Sequence, residues 1–496
     1  MDFICVDIGT SSCKACVISD TGAVLRCAKR LYPLQCLQEG WASLELRLLW
    51  NAVQDALREI APAAANAKTM MVSSLGETLV MLDAKDRLLF DEGITYLDSR
   101  NVEIWKTLED RLDTESIYQI TGKRIFQIAS TNQYRWVQQH EPEKLEAAKR
   151  ILFVDSFVAY MLSGEAGMDY STASNSLLFD IHRHQWSSEL ANAFSFDLRL
   201  LPRVGKAGSP LGKIRQEMAK ELGLPGDVTV LIGCHDQIAA VVGGGALCAG
   251  DAVVGEGSTE ALNLLIENVD IPKAQKLQIS IEPFIDEERY LIMLSRLTHG
   301  TCIKWFASDI QPEPGQDVYD MLNRHCPGDS SGVTFLPYLS NTYFNEYTRP
   351  MGAFIGLSLG TTRYQAYRAL LEGLACETRS MCEELANAGI PFHTLTATGG
   401  AAKSEVYMQL KANITQRSIG VLKDSEAGLS GLAMMCAVQS GCYETIKEAA
   451  TGFGISKRMY EPLEDCGEIV RRHSRAKEAI LRLYQESSFS PLCGNA

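Results

Sequence analysis

The chain of 496 residues is 46% hydrophobic and 22% charged, ordinary proportions for a globular protein large enough to bury several cores. Its 47 basic and 61 acidic residues leave a formal charge of −14, which gives nucleic acid or anionic lipid no bulk attraction. No apolar run approaches the roughly 18 residues of a membrane-spanning helix, so no membrane partner is expected.

Met1 to Val6 starts as a strand with no basic leader, so no signal peptide is expected and the predicted location is cytoplasmic. The 15 cysteines are scattered and odd in number, which favours reduced thiols in that compartment. Cys13 and Cys16 form a C-x-x-C pair. On a strand, residues three apart face opposite ways, so no zinc site is expected there. Phe3 to Ile18 reads as strand, turn and strand, and Ala23 begins a third strand. In the turn Asp7-Ile8-Gly9-Thr10-Ser11-Ser12, glycine permits a tight backbone, while Thr10, Ser11 and nearby N–H groups can face a phosphate. Asp7, at the strand end, suits a hard cation such as Mg2+. A plain polar hairpin explains the same residues.

Trp50 to Ile60 is predicted helical and Thr69 to Val72 extended. After Gly76-Glu77-Thr78 comes another strand, turn and strand, through Leu79 to Leu82 and Leu88-Leu89. Glu77, Asp98 and Arg100 stand at element ends, where binding residues concentrate, although an Asp before a helix also serves as a cap. Residues 130–162 read mostly as helix, and Asp169 to Ser174 as a polar loop. Helix Ile214 to Leu222 leads to strand Asp227 to Ile232, which opens into Gly233-Cys234-His235-Asp236-Gln237 and the junction Gly243-Gly244-Gly245. Here Asp236 is either a helix cap or a base at the end of a buried strand.

Gly250 to Leu265 repeats the opening pattern of strand, Gly/Ser/Thr turn and strand. Two such units suggest an internal duplication of α/β domains. Thr298-His299-Gly300 leads into a helix, and an Asn/Tyr/Thr-rich loop ends at Arg349-Pro350. Residues 361–388 carry the strongest helical pattern, with Tyr367, Leu370, Leu371 and Leu374 on one face and Gly389 as the stop. Leu395 to Thr398 is a strand running into Gly399-Gly400-Ala401-Ala402-Lys403-Ser404. Its glycines admit a ligand to the backbone, and Ser404 can cap the next helix. Glu426 to Gly441 is a small-residue helix suited to tight packing. Standard nucleotide motifs fail. Ala402 stands where a P-loop needs Gly before its Lys, and Glu260 where a dinucleotide fingerprint needs Gly.

Taken together, DIGTSS from Asp7, GCHDQ from Gly233, GEGSTEA from Gly255, TATGGAAKS from Thr396 and GAFIGLSLGTTRYQAYRALLEG from Gly352 resemble the FGGY carbohydrate kinases of the actin-like ATPase superfamily. The resemblance runs from about residue 3 to about residue 445. Two departures stand out. STNQYRWVQQHEPE keeps Trp136 but has Gln133 where Lys is usual, and the second loop lacks the usual Gly-Thr-Ser core.

The resemblance implies an α/β fold of two duplicated ribonuclease-H-like domains with a cleft between them: residues 1–245 mainly for sugar and 246–496 mainly for ATP. It makes Asp236 the general base, with Glu77, Thr78, Asp98, Arg100 and Gln237 completing the sugar side. Thr10, Ser11, Ser12 and Lys14 would serve the first phosphate loop, and Gly257, Ser258, Thr259 and Gly300 the second. Gly399, Gly400, Ala401 and Ser404 would meet the adenosine, and Asp7 and Asp236 would hold Mg2+. His235 is expected to be a positioned neighbour rather than a second base. The implied partner is a small sugar or polyol, a xylulose-like ketose above others; a homodimer is compatible. Glycerol kinases of the family have Arg where Gly76 stands and Tyr where Ile128 falls. Xylulose kinases share Asp98 and Arg100 within a Trp-Asn-Asp-Gly-Arg run. The alternatives are a non-catalytic sugar or ATP sensor on the same fold, and a chaperone-type or filament-forming ATPase. The sensor reading predicts loss of Asp7 or Asp236, and both are present.

Overall fold

The strand Asp2–Ile8 is apolar on nearly every position because both its faces are covered. It lies between Ser12–Ser19, to which it pairs antiparallel, and Ala67–Ser74, to which it pairs parallel. In this computed structural model the first sheet runs Pro210–Lys213, Thr229–Leu231, Ala67–Ser74, Asp2–Ile8, Ser12–Ser19, Val24–Leu31. Cys234–His235 continues beside Ser73-Ser74. Helices Leu46–Ile60 and Val154–Ser163 supply much of the apolar packing against these strands. The structure describes all residues except 37, 39, 297, 313–314, 340–351, 391, 423–425 and 486–496, so the expected loop at Arg349-Pro350 lies outside the described residues.

The second sheet repeats that plan. Asp251–Glu256 lies between Glu260–Ile266, antiparallel, and Thr394–Gly399, parallel. Beyond Thr394–Gly399 come Ile419–Leu422, parallel, and Lys457–Tyr460, antiparallel. In the first sheet, Thr229–Leu231 and Pro210–Lys213 occupy the same two places with the same directions. The internal duplication read from two hairpins therefore extends through five strands of each sheet.

Packing gathers the chain into two units. One holds Met1–Ala249, Leu265–Met293 and Glu426–Ile455, and the other Gly250–Leu264, Leu294–Ser425 and Ser456–Ala496. Two later segments thus join the first unit. The helix Ala427–Gln439 is seated there by glycine. A Cβ on Gly243 would strike the carbonyl of Ala427, and one on Gly431 would strike that of Ala239. Gly243, read from the sequence as part of a junction, is in fact the point where helix Asp236–Gly243 crosses helix Ala427–Gln439.

Helix Arg363–Asn387 begins with a reciprocal cap between Thr362 and Gln365 and gives way at Gly389, whose φ of 63° suits glycine. Ser404 caps Glu405–Thr415 by accepting from the Tyr407 amide at 3.3 Å. Three expectations need correction. Residues 130–162, read mostly as helix, are so except at Arg150–Phe153, a strand paired with Leu79–Leu82, its β-branched and aromatic residues buried between elements. Asp169 does not sit in a loop. It caps the short helix Tyr170–Ser174 by accepting from the Ser171 and Thr172 amides. The thiols are not all reduced: Cys16 and Cys27 face each other in register with Cα atoms 4.1 Å apart and form a disulfide. Among the described residues no helix is long and apolar enough to cross a membrane.

Candidate active site

Parallel strands that end together deliver their following residues to one edge, the usual place for a site in α/β sheets. Ile8 pairs with Ser74, and His235 with Ser74 from the other side. Asp7, Ser73, Glu77 and Asp236 therefore gather at the same strand ends. Ser73 Oγ donates to Asp7 Oδ1 at 2.8 Å. Asp236 is the first residue of helix Asp236–Gly243, and His235, not Asp236, occupies the cap position. Of the two readings of Asp236, the cap is thus set aside, and its carboxylate remains 33% exposed.

Behind Asp236 lies a line of buried charge. His235 Nε2 is 3.3 Å from Asp236 Oδ1, and its Nδ1 is 3.0 Å from Glu282 Oε2. Nδ1 hydrogen-bonds Glu282, while Nε2 faces Asp236 as an ion-pair contact. Lys123 Nζ donates to Glu282 Oε1 at 2.9 Å, to Asn175 Oδ1 at 2.9 Å and to Ser280 Oγ at 3.1 Å. Burial favours a neutral His235 ring, but Glu282 outweighs it and raises the imidazole to about 10. Burial likewise opposes the charge on Glu282, yet Lys123 and His235 hold it well below the usual carboxylate range. Asp236 and Glu77 are pushed up by burial, against the pull of His235. Burial, with the Asp236 charge second, raises Asp7 to about 6.

The sequence reading passed over Lys123, Glu282 and Tyr96. Lys123 and Glu282 are distant in sequence from GCHDQ and match no motif, so only folding joins them to it. Tyr96 carried a signal: it stands where the xylulose kinase run has its Trp. Its hydroxyl is pushed up mainly by burial, with Thr10, Asp236 and Glu77 close enough to act on it.

Other predicted residues fall differently. Thr78 Oγ1 donates to the Ile94 carbonyl at 2.8 Å and is fully buried. Asp98 and Arg100 pair with each other, with Nη2 to Oδ2 at 2.8 Å and Nε to Oδ1 at 2.9 Å. Asp98 also accepts from the Ala42 amide, and the Arg100 guanidinium lies 3.7 Å from the centre of the Trp41 ring. These contacts pin the segment that follows Tyr96. Gln133, the departure from the family pattern, accepts from the Leu79 amide and donates to the Glu77 carbonyl, so it braces Glu77 through the backbone. Gln237 Nε2 donates to Asp236 Oδ1 at 3.0 Å. In the first hairpin, Gly9 N–H bonds the Ser12 carbonyl, leaving Thr10, Ser11 and Ser12 partly or fully exposed at the tip. Lys14 is already paired with Glu426 at 2.6 Å.

In the second unit, Gly257 and Ser258 are exposed at the hairpin tip, between buried Glu256 and Glu260. The Gly300 amide donates to the Gly257 carbonyl at 3.0 Å, and His299 N–H to that of Ser258 at 3.1 Å. A Cβ on Gly300 would strike the Gly257 carbonyl, so glycine is required for this approach. Gly399 has φ 98° and packs on the backbone of Glu256, while around Gly400 the space is open. Thr259, Gly399, Ala401 and Ser404 lie partly exposed around these turns. Ser404 Oγ, besides capping its helix, donates to Asn323 Oδ1 at 2.9 Å. The tip is anchored from below. Lys411 Nζ bonds Glu256 Oε1 and, at 2.7 Å, Glu260 Oε1, and His299 Nε2 lies 2.9 Å from Glu256 Oε2. Glu256, Glu260 and His299 are grouped closely enough to hold a metal, but the Lys411 ammonium already supplies the cation.

The residues at the first site fit a hard divalent cation. Asp7 and Asp236 are neighbouring carboxylates, and the Asp236 charge adds to burial in raising Asp7.

Comparison with known proteins bears on both halves. The model for the N-terminal domain of the FGGY family of carbohydrate kinases matches residues 3–243, and that for its C-terminal domain residues 291–440. A xylulose kinase of Staphylococcus epidermidis is 24% identical over 490 residues, 96% of each chain. An L-fuculokinase of Salmonella typhi is 26% identical over 472 residues, 92% of this chain and 96% of that one. The crystal structure of xylulose kinase from Rhodospirillum rubrum superposes with a TM-score of 0.84 at 23% identity, covering 98% of this chain and 99% of that one.

Proposed function

The chain belongs to the FGGY family of carbohydrate kinases and is an ATP-dependent carbohydrate kinase; from that premise we propose that it phosphorylates a hydroxyl of a ketose, with Asp236 as general base. The observation that carries this is Asp236 itself: a partly open carboxylate at strand ends, flanked by Asp7, Glu77 and Tyr96 and backed by buried His235. The hydroxyl oxygen forms a bond to the γ-phosphorus of ATP, the bond from that phosphorus to the bridging oxygen breaks, and ADP leaves. The hydroxyl proton passes to Asp236. A weak base suffices, since phosphoryl transfer depends mainly on orientation and charge neutralisation.

The ketose reading rests on the xylulose kinase and L-fuculokinase relatives, and on Gly76 and Ile128 standing where glycerol kinases have Arg and Tyr. Glu77, Gln237 and Tyr96 face the sugar in this proposal, with Thr78, Asp98 and Arg100 supporting them from behind. Residues 1–245 are mainly the sugar domain and 246–496 mainly the ATP domain, with Leu265–Met293 and Glu426–Ile455 packed into the sugar side. The exposed tips Thr10–Ser12 and Gly257–Thr259 receive phosphates through backbone N–H groups and hydroxyls, and Gly399–Ala401 leaves room for the nucleoside. Asp7 and Asp236 would hold Mg2+, which when bound supplies neutralisation of phosphate charge.

A panel of ketoses, aldoses and polyols assayed with Mg-ATP for sugar-dependent ADP release tests the reading. Asp236→Asn should lower kcat by at least about a hundredfold while ATP still binds. Retained turnover would take Asp236 out of the base role, and no sugar-dependent release by the native enzyme would sink the whole reading.

A further inference from the structure

We propose that His235, Glu282 and Lys123 form a positioning line that fixes the carboxylate of Asp236 in a single orientation for the transfer. The inference rests on Asp236 being the base. A carboxylate on a helix's first turn is free to rotate about its side-chain bonds. Here one donor and one charged edge meet the same oxygen: Gln237 Nε2 donates to Oδ1 at 3.0 Å, and His235 Nε2 lies 3.3 Å from it as an ion-pair contact. Among the described residues no side chain donates to Oδ2, and it is the oxygen that takes the hydroxyl proton.

An imidazole that holds a carboxylate must itself be held, and His235 is fixed at two points. Its amide donates to Ser171 Oγ at 3.2 Å, and Ser171 Oγ donates in turn to Asp169 Oδ2 at 2.5 Å. Its Nδ1 is bound by Glu282 Oε2 at 3.0 Å. Glu282 cannot swing away, because its other oxygen is taken by Lys123, whose ammonium is shared among Glu282, Asn175 and Ser280. The Lys123 and Glu282 side chains are 2% and 0% exposed, so neither reaches substrate or solvent. Whatever they contribute to the reaction passes through His235. Gly76 closes the same region: a Cβ there would press on Asn175 Nδ2 and on the His235 ring. Four separate stretches of chain therefore meet to orient one carboxylate, as precise placement of a reacting group demands.

The test compares His235→Ala, His235→Gln and Glu282→Gln with the native full-length enzyme, using Mg-ATP and whichever of xylulose, fuculose or glycerol the native enzyme turns over fastest. Glu282→Gln and His235→Ala should each lose roughly ten- to a hundredfold in kcat while KM for ATP stays within about threefold. His235→Gln keeps a donor at the position of Nε2 and should recover most of the loss suffered by His235→Ala. A residue that merely stabilises the fold would lower the melting temperature and leave kcat of the folded fraction, and the Gln rescue, unmoved. Folded variants with native kcat would overturn the inference alone. If both His235→Ala and Glu282→Gln fail to give a cooperative melt, the line is a folding element and the inference falls. No turnover by the native enzyme with any sugar would remove the proposed function, and this inference with it.

Discussion

In the first unit Lys123, Glu282 and His235 run in a line that ends on Asp236, whereas in the second Lys411, Glu256, Glu260 and His299 close on one another. Both groups combine Lys, Glu and His in near-complete burial. They differ in where the charge comes out. The line in the first unit terminates on a carboxylate still 33% exposed, which chemistry can use. The second has no such outlet: the side chains of its four members are no more than 1% exposed, and Glu256 and Glu260 are the two flanks of the exposed hairpin tip. One network aims a side chain; the other stiffens a backbone. The same residue types thus serve a reacting group in one duplicated half and a ligand-facing turn in the other.

The comparison breaks most visibly at its cations. Lys411→Met leaves Glu256 and Glu260 buried together without the ammonium, and should cost about 3–5 kcal/mol, the usual penalty for an uncompensated buried charge. Lys123→Met strands Glu282 only in part, because His235 still bonds its other oxygen. That variant should cost about 2 kcal/mol, the scale of lost hydrogen bonds to a charged group. Urea unfolding of the two variants beside the native protein measures both. A Lys123 variant as damaging as the Lys411 variant would mean that the first line is no more open than the second cluster.

Much of this architecture was legible in the sequence because it rests on local signals. The hairpin at Gly9–Ser12, the repeat of that hairpin at Gly257–Thr259, the Ser404 cap and the Gly389 stop all follow from short-range chemistry. The strand-to-glycine setting singles out Asp236, and the family resemblance implies its role as base. The misreadings have a common physical origin. Arg150–Phe153 carries an apolar run too short for periodicity to separate strand from helix, and only its pairing with Leu79–Leu82 decides it. Glu282 lies in Ser280–Pro283, a strand with no polar motif, and Lys123 follows a helix end at Gly122. Each looks like an ordinary surface charge until tertiary packing buries it. Asp98 and Arg100 show the reverse: their motif was recognised, yet cation–π stacking and mutual pairing turn them inward.

Acid should separate the two units, each in its own direction. In the first, burial raises Asp155 to about 7 against an unfolded value of 3.8. A carboxyl raised on folding takes its proton first in the folded state, so its contribution to stability is complete below 3.8 and lost as pH rises through 7. In the second, burial lowers His473 to about 4 from 6.5, so its contribution is present above 6.5 and lost as pH falls through 4. Glu256 acts in the same sense further down. Burial resists its charge, but Lys411 and His299 hold it at about 2 against 4.5 unfolded, so its contribution goes as pH falls from 4.5 through 2. Between pH 7 and pH 5, then, Asp155 makes the first unit firmer as His473 makes the second looser, each by at most about 1.4 kcal/mol per pH unit. Amide hydrogen exchange, corrected for the intrinsic pH dependence, reads the two units separately in one experiment. Protection should rise around Val154–Ser163 and fall around Gly467–Gln485. Parallel changes in both would show that Asp155 and His473 do not act on their units in opposite directions.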